Sequence, residues 1–491
     1  MPRLWAVFLI GLLIVSPISA NGSDDLRLRE LAVQEAITKV EGSVACIIVS
    51  RSEVYRKYED ELPKEPAGIL GGFNVQRALL GVPQQEQKPI RALDLGDPSH
   101  VPESFGSGVV LDKAGLILTC AHVVRGATKV YVRLPGGAGS YADIHALDTR
   151  SDLAVLRLID RIPDLKPVVR GDGGKLGKGQ FVVSVANPYA AGFEDGSPSA
   201  SFGIVSNLRR RMPGGASENE RNRLLLHQFG TLIQTDVRLN SGCSGGALIN
   251  LKGEMVGLTT ARAALVGVDT PGGFAVPMDE ALNRIIDVLL RGEEVEYGFL
   301  GVQFDMDHRA GVRLSKVLEN SPAWRAGLRD GDFLLSIGGR KVQTIDDVFL
   351  AIGIQLNGTR IELERGRATD GSGEKVTATL AKLHVPLPFL ASKRPPFVAG
   401  LRVDHASLAV QRAGSGFSPV PTGVIIREVQ TGSPADKAQL QPDKIIIEVN
   451  GRPVASPAEF YREMGGTRGE ATLGLRSLGG PERVSLKLDP P

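Results

Sequence analysis

Three short motifs in a fixed order along the chain constrain its fold more than any other feature. An apolar run at 118–124, Leu-Thr-Cys-Ala-His-Val-Val, carries His122 at its end. A second motif, Ser-Asp-Leu-Ala-Val-Leu at 151–156, places Asp152 just before another strand-like run. The third, Asn-Ser-Gly-Cys-Ser-Gly-Gly-Ala-Leu at 240–248, holds Ser244 between glycines. Such glycines permit a tight turn that exposes the serine and directs backbone N–H groups toward a developing oxyanion.

These residue types indicate nucleophilic catalysis. A serine hydroxyl is a poor nucleophile at neutral pH, so an imidazole must take its proton and a carboxylate must orient the imidazole. We therefore predict Ser244 as nucleophile, His122 as general base and then general acid, and Asp152 as the orienting group. Asp143 and Asp148 lie nearby, and the residues alone do not choose among the three carboxylates. The order His, Asp, Ser is that of the chymotrypsin fold.

From about residue 43 to its end the chain resembles the HtrA (Deg) family of serine proteases, which join a chymotrypsin-like domain to C-terminal PDZ domains. The resemblance rests on the three motifs and on shorter matches at 106–110, 187–188, 203–206, 234–236 and 273–277. It assigns the orienting role to Asp152. Cys243 and Ser241 stand where this family most often has asparagine and proline, in the segment that would form the oxyanion hole. Its candidate donors are the N–H groups of Gly242, Cys243 and Ser244.

The fold class predicted is mainly β: a chymotrypsin-like double β-barrel followed by two PDZ domains. Short strand-like runs separated by glycine and asparagine turns favour antiparallel barrels over a parallel sheet. We place the protease domain at 24–292, with an N-terminal helix at 24–40 and a long loop at about 53–103. The strand at 257–260 should line the specificity pocket, and the resemblance implies a shallow apolar pocket for small aliphatic residues.

The C-terminal half contains an internal repeat. Residues 321–328 align with 433–440, and 337–342 align with 449–454. A spacing of roughly a hundred residues indicates duplicated domains rather than a solenoid. We predict a first PDZ domain at 298–383, a stiff connector with four prolines at 384–396, and a second PDZ domain at 397–491.

The first repeat carries the better peptide-binding motif. The resemblance predicts that Phe299, Leu300, Gly301 and Val302 form the loop that captures a peptide C-terminus while the peptide adds a strand to the sheet. The equivalent loop at 398–401 matches less well. Gln439 and Asp443 also replace the first unit's Gly327 and Gly331. Aspartate tolerates left-handed backbone, so the second unit should fold; peptide binding and a purely structural role both stay open for it.

Composition excludes some functions. A length of 491 residues predicts about three domains. The formal net charge of +2 argues against nucleic acid or an anionic membrane as the main partner.

Three cysteines make neither a disulfide framework nor a zinc pattern, and no metal or cofactor is predicted. Cys120 and Cys243 are expected either as small buried side chains or as a disulfide pair. Histidines outside the motifs are expected at the surface; they are His145, His227, His308 and His405.

Residues 1–20 read as a secretory signal peptide, because Arg3 precedes an apolar run that ends in small residues. An uncleaved anchor is the alternative, and either implies a periplasmic or secreted protein.

The expected function is a serine endopeptidase that hydrolyses unfolded or damaged extracytoplasmic proteins, with PDZ domains that bind peptide C-termini. The resemblance further implies a homotrimer or higher oligomer. Two other functions stay open: a non-proteolytic chaperone or peptide sensor, and a narrow processing protease.

Overall fold

The computed structural model describes residues 22–53, 94–97, 104–211, 225–260, 272–305, 312–366, 373–412, 419–476 and 482–488. The predicted signal peptide and most of the long loop at about 53–103 lie outside these ranges. Among the described residues, no helix combines the length and the apolar composition that a transmembrane segment requires.

The first barrel consists of six antiparallel strands that close on themselves, because the fifth strand along the chain pairs with both the fourth and the sixth. Large apolar side chains fill its interior. At Gly108 an added Cβ would lie 2.7 Å from Ile117 and 2.8 Å from Ile47, so only glycine fits there. The strands are β1 (Val44–Ser50), β2 (Ser104–Val110), β3 (Leu116–Cys120), β4 (Lys129–Arg133), β5 (Gly139–Asp148) and β6 (Leu153–Leu158).

The second barrel repeats this plan, closing through the β11–β12 pair, and a short strand, β7, adds in parallel to β12. Its strands are β7 (Val169–Arg170), β8 (Phe181–Ala186), β9 (Ser199–Arg210), β10 (Leu232–Thr235), β11 (Ala247–Ile249), β12 (Glu254–Thr260) and β13 (Gly273–Pro277). Among the described residues, three α-helices accompany the barrels: α1 (Gly22–Val40), α2 (Ala121–Val124) and α3 (Glu280–Leu290). The Asp279 carboxylate accepts the Leu282 N–H and so begins α3.

The C-terminal half contains two sheets of the same topology; in each, five strands pair side by side and a sixth, short strand pairs with the third of them. The first unit comprises β14 (Gly298–Phe299), β15 (Val302–Phe304), β16 (Val312–Val317), α4 (Pro322–Arg325), β17 (Phe333–Ile337), β18 (Arg340–Lys341), α5 (Ile345–Gly353), β19 (Arg360–Gly366), β20 (Glu374–Thr379) and β21 (Ala381–Lys382). The connector contributes β22 (Phe389–Ala391). The second unit comprises β23 (Leu401–His405), α6 (Ser407–Arg412), β24 (Val424–Val429), α7 (Pro434–Lys437), β25 (Ile445–Val449), β26 (Arg452–Pro453), α8 (Pro457–Gly465), β27 (Glu470–Leu475) and β28 (Glu482–Lys487). The predicted mainly β fold class is confirmed.

The repeated sequence motif has a local explanation in the structure. Ser321 begins α4 by accepting the Trp324 N–H, and Ser433 begins α7 in the same way with Asp436. A proline follows each serine, at the first helical position, where its missing N–H removes no helical hydrogen bond.

Gln439 and Asp443 have positive φ angles of 60° and 68°. The glycines at the equivalent positions of the first unit, Gly327 and Gly331, have φ angles of 94° and 90°. Both units therefore keep left-handed backbone at these two positions, although the second unit has no glycine there.

The connector does more than space the PDZ domains. Its strand β22 pairs with β5 of the first barrel, with Leu390 opposite Leu147. The adjoining Ser392 hydroxyl lies 2.9 Å from His145 Nδ1, and His145 Nε2 lies 3.1 Å from the Leu290 carbonyl. The connector is thus attached to the protease domain, which its proline content did not reveal.

Two of the histidines expected at the surface are buried. His145 is 5% exposed and His227 is 2% exposed. The surface expectation was wrong for both because it relied on missing motifs, whereas burial depends on what packs over a residue. His405 is half-buried between the PDZ domains, and His308 lies outside the described residues.

The protease domain also packs against the first PDZ domain. The Phe229 ring stacks on Phe349 of α5 with ring centroids 5.1 Å apart, and Phe349 meets Phe304 of β15 edge-on. Arg211 forms an ion pair with Asp346 beside this cluster.

A buried ionic cluster joins the two PDZ domains. The Lys382 ammonium, in a side chain only 4% exposed, lies 2.9 Å from Asp404 and 3.0 Å from both Glu294 and Glu296. Arg427 pairs with Asp404 and Glu294. Burial disfavours the charge of Lys382, but the surrounding carboxylates outweigh it and raise its pKa.

Candidate active site

The structure brings His122, Asp152 and Ser244 together in one hydrogen-bonded line. His122 Nδ1 donates to Asp152 Oδ2 over 2.7 Å, and His122 Nε2 lies 3.0 Å from Ser244 Oγ. An ionised carboxylate only accepts hydrogen bonds, so the proton belongs on Nδ1 and Nε2 is left to accept from the serine. The side chains of His122 and Asp152 are 12% and 3% exposed. The arrangement can therefore move the serine proton to the imidazole.

Each triad residue lies in a segment that follows or joins strands of the barrels. His122 lies in α2, the single helical turn that follows β3. Asp152 lies between β5 and β6 with a φ of 58°, and its Oδ1 also accepts the His122 backbone N–H over 2.9 Å. Ser244 lies between β10 and β11 of the second barrel. The site thus forms where the two barrels meet.

The other two carboxylates considered from the sequence lie elsewhere. Asp143 is exposed on β5. Asp148 is buried and its Oδ2 accepts hydrogen bonds from the N–H and hydroxyl of Ser151, at 2.8 and 2.5 Å. Only Asp152 contacts His122 among these three.

The turn that carries Ser244 needs its glycines. Gly242 and Gly245 have φ angles of 93° and 88°. An added Cβ at Gly245 would lie 2.1 Å from the Ser107 carbonyl oxygen, and one at Gly242 would lie 2.4 Å from that of Asn187. These close approaches to backbone atoms exclude every residue but glycine at both positions.

The three predicted oxyanion donors differ in the structure. The Cys243 N–H donates to the Asn240 carbonyl over 3.1 Å and is therefore engaged within the turn. The expectation that Cys243 supplies a donor conflicts with this bond. The sequence did not reveal this hydrogen bond within the turn. The remaining candidate oxyanion donors are the N–H groups of Gly242 and Ser244.

All three cysteines are free and buried. Of the two sequence-based alternatives, the structure therefore shows Cys120 and Cys243 as small buried side chains. Cys120 Sγ lies 3.5 Å from the Thr259 carbonyl oxygen, and the Thr259 hydroxyl donates to the Cys243 carbonyl over 2.5 Å. Burial raises the pKa of Cys243, and it raises that of Cys46 to about 12.

The predicted specificity strand contacts the nucleophile turn directly. Thr259 of β12 exchanges backbone hydrogen bonds of 2.9 Å with Gly245 and Gly246. Gly273 of the neighbouring strand β13 lies beneath Leu239, where an added Cβ would meet the leucine at 2.4 Å. The Leu239 side chain thus fills the space over Gly273.

The predicted carboxylate loop, with Phe299, Leu300, Gly301 and Val302, connects β14 to the edge strand β15. Gly301 has a φ of 86°, and a Cβ there would lie 2.3 Å from that of Ser321. The Leu318 N–H donates to the Gly301 carbonyl, so antiparallel alternation turns the amides of Val302 and Phe304 away from β16. Among the described residues no hydrogen bond from either amide is found.

The second PDZ domain uses its equivalent amides internally. The Leu401 N–H donates to the Val398 carbonyl over 2.9 Å, and the Val403 N–H donates to the Tyr461 hydroxyl of α8 over 3.3 Å. A peptide adding to this strand would have to displace both bonds.

Two groups of potential metal-ligating atoms occur among the described residues. One overlaps the triad, with Cys120, His122 and Asp152. The other is Glu296, Asp404 and His405. The Lys382 ammonium already lies against both carboxylates of this second group. A second cation would therefore be repelled there.

The two closed barrels and the hydrogen-bonded His, Asp and Ser at their junction define a chymotrypsin-like serine endopeptidase that carries two PDZ domains. Residues 106–258 match the trypsin-like peptidase domain, and residues 313–364 and 425–473 match the PDZ domain. The chain is 31% identical over 415 residues to the periplasmic pH-dependent serine endoprotease DegQ of Escherichia coli, spanning 82% of this chain and 84% of DegQ. It belongs to the HtrA family of serine endoproteases.

A second relative is a probable periplasmic serine endoprotease, DegP-like, of Chlamydia trachomatis. It is 29% identical over 397 residues, which span 78% of this chain and 74% of the relative. Among solved structures, the HtrA-type protease AlgW with decapeptide aligns with 74% of this chain and 99% of its own at 22% identity and a TM-score of 0.46.

Proposed function

We propose that Ser244 attacks the scissile carbonyl while His122 takes its proton and then delivers that proton to the leaving amine. Asp152 holds the imidazole in the required tautomer and stabilises its protonated form. The observation that carries the proposal is the continuous pair of contacts from Asp152 Oδ2 to His122 and from His122 to Ser244 Oγ.

The oxyanion is bound by the backbone N–H groups of Gly242 and Ser244. Such donors stabilise the charge that develops on the carbonyl oxygen, each contributing about 3–4 kcal/mol to the transition state. The Cys243 amide does not take part, since it donates to Asn240. The specificity pocket accepts small aliphatic side chains, as the resemblance to the HtrA family implies.

The substrates are unfolded or damaged polypeptides outside the cytoplasm. Relatives named as periplasmic endoproteases support this location. The first PDZ domain binds peptide C-termini at Phe299, Leu300, Gly301 and Val302, because the outward amides of its edge strand suit β-augmentation. The second PDZ domain acts as a structural unit, consistent with the internal bonds of Leu401 and Val403. Assembly is as a homotrimer or a higher oligomer.

Cleavage of casein, an unstructured protein, tests the chemistry. Ser244→Ala should lower turnover by roughly a factor of a million, the size expected for loss of a triad serine. Asp152→Asn should lower it by about 10⁴-fold, because the imidazole then adopts the wrong tautomer. Asp143→Asn is the matched control, since Asp143 is an exposed carboxylate nearby, and it should leave turnover unchanged.

Equal cleavage by the parent and Ser244→Ala would refute the serine mechanism. A parent that cleaves neither casein nor folded proteins would favour a chaperone or peptide sensor. Rapid cleavage of one folded protein with none of casein would instead indicate a narrow processing protease.

A further inference from the structure

A tyrosine at the boundary of the protease and the first PDZ domain contacts the loop that carries the triad aspartate. Tyr297 directly precedes β14 and is fully buried. Its hydroxyl donates to Asp148 Oδ2 over 2.6 Å. The same oxygen accepts both donors of Ser151, the residue next to Asp152. Three hydrogen bonds therefore converge on one carboxylate oxygen of Asp148, at the start of the segment from Asp148 to Asp152, which we call the Asp152 loop.

The Asp152 loop needs such support. Asp152 has a left-handed backbone, with a φ of 58°, a conformation that aspartate tolerates better than most residues but that is still less favourable than the right-handed one. Its own N–H reaches the Thr149 carbonyl at the long distance of 3.3 Å. Neighbouring groups must therefore hold this conformation in place.

Further contacts connect the loop to the first PDZ domain and the connector. The Arg150 guanidinium lies 4.8 Å from the centre of the Tyr297 ring and donates to the Gly353 carbonyl at the end of α5. The Thr149 hydroxyl donates to the Pro388 carbonyl over 2.5 Å. The residues from Asp148 to Asp152 are thus enclosed by elements that lie outside the barrels.

Tyr297 itself is held by the PDZ domain. Its carbonyl accepts the Leu383 N–H over 2.7 Å, and it forms a β-bridge with Leu356. Burial, together with the Asp148 carboxylate, raises its pKa well above the ordinary value, so the hydroxyl stays protonated and remains a donor.

We propose that Tyr297 is a positioning residue for catalysis: through Asp148 and Ser151 it holds Asp152 in the orientation that His122 requires. This role rests on the proposed function of the triad. It also connects the carboxylate loop, which begins two residues after Tyr297, to the catalytic site through side chains that are all buried.

The test compares Tyr297→Phe with the parent in casein cleavage and in phosphorylation by diisopropyl fluorophosphate, in which Ser244 Oγ displaces fluoride from phosphorus and so reports the reactivity of Ser244. The variant keeps the ring over Arg150 and removes only the hydroxyl. We expect kcat and the phosphorylation rate to fall about tenfold, with KM changed by less than about twofold, since the hydroxyl does not touch substrate.

Tyr461→Phe is the matched control, because it removes another hydrogen-bonded tyrosine hydroxyl, that of the second PDZ domain. It should lower thermal stability, by less than Tyr297→Phe because its bond is longer and involves no charged group, and leave kcat and the phosphorylation rate at the parent's values. If Tyr297→Phe does not fold, Ser151→Ala replaces it in the test, because it removes another hydroxyl that donates to Asp148 Oδ2. Ser151→Ala should also lower kcat. Combined with Tyr297→Phe, it should lower kcat by less than the product of the two single effects.

An unchanged kcat in Tyr297→Phe beside an active parent would overturn the positioning role and leave the proposed function intact. Equal losses in Tyr461→Phe would overturn it as well, because they would reflect general destabilisation. A parent that does not react at Ser244 would overturn both proposals.

Discussion

The Ser107 hydroxyl lies 2.7 Å from the Gly242 carbonyl oxygen and donates to it, so a strand of the first barrel holds the turn that carries the nucleophile of the second. The same hydroxyl accepts the Asn187 N–H over 2.8 Å. In addition, the Ser107 N–H donates to the Ser244 carbonyl over 2.8 Å. This one buried serine therefore connects three segments around the active site.

Ser107→Ala should reduce both stability and catalysis. It leaves the Gly242 carbonyl and the Asn187 N–H without their partner, which costs about 1–3 kcal/mol of unfolding free energy. Displacement of the turn should lower kcat by roughly 10- to 100-fold. Casein turnover and urea denaturation measure the two effects.

Ser140→Ala is the control for Ser107→Ala. Ser140 is a buried serine of the same barrel whose hydroxyl donates to Tyr141 and accepts the Asp160 N–H. It should lower stability without lowering kcat. A kcat loss in Ser140→Ala as large as that in Ser107→Ala would refute a specific role for the Ser107 bond.

Exchanging glycine and glutamine between the equivalent left-handed positions 327 and 439 should change the stability of the two PDZ domains in opposite directions. Gln439→Gly removes the strain of a side chain at positive φ and should stabilise the second PDZ domain by up to about 1 kcal/mol, less the entropy that glycine loses on folding. Gly327→Gln should destabilise the first by about 1 kcal/mol; a Cβ there meets no atom within 4 Å, so the cost is purely conformational.

Differential scanning calorimetry of the full chain checks this exchange. Gln439→Ala is the control, because it removes the side chain and keeps the strained backbone, so it should change stability little. Stabilisation by alanine equal to that by glycine would show that the side chain, not φ, is responsible.

The thiols should not react in the native state. Cys46, Cys120 and Cys243 are buried, and burial raises the pKa of Cys46 to about 12, so little thiolate forms at pH 8. We expect no alkylation by iodoacetamide in native protein and three alkylated cysteines in guanidinium without reductant. Only one alkylated cysteine in the denatured, unreduced protein would contradict the free thiols.

The interface between the PDZ domains should weaken in mild acid. Burial lowers the pKa of His405 below its ordinary 6.5, and Glu296 and Asp404 only partly oppose this. Because the unfolded chain takes up the proton first, stability should fall as the pH drops below about 6.5 toward the folded pKa. Asn357 also donates to His405 Nε2, which requires the unprotonated nitrogen.

His405→Gln should flatten this dependence, since glutamine can accept from Asn357 and does not titrate. Thermal unfolding between pH 7 and pH 5 compares the two proteins, in a range where the Asp404 carboxylate stays ionised because its pKa is lowered. An equal loss of stability in the parent and His405→Gln would exclude the histidine as the cause.

Interactions between residues close in the chain were predictable. Ser321 and Ser433 cap their helices within three residues, and the glycines at 242 and 245 are required by the backbone of a single turn. The mainly β class followed from short strand-like runs, and the domain duplication followed from two short motifs that recur about a hundred residues apart. Such features depend on local backbone geometry, which residue type reports directly.

The choice among Asp143, Asp148 and Asp152 depended on tertiary structure or on a family resemblance, because all three lie within ten residues and only packing turns one toward His122. The Cys243 amide, the pairing of β22 with β5 and the burial of His145 were likewise not predictable.

The sequence by itself thus determined the order of the His, Asp and Ser motifs, the repeated domains and the turns that need glycine or tolerate left-handed backbone. The tertiary structure decided which carboxylate serves His122, where Asp148 and Tyr297 lie, and that the connector attaches to a barrel. The physical reason is the distance along the chain between the residues that interact. The first set is carried by short motifs, each only a few residues long, whose types and positions can be identified along the chain. The second arises from contacts such as that of Tyr297 with Asp148, 149 residues apart in the chain, which form only when whole domains pack together.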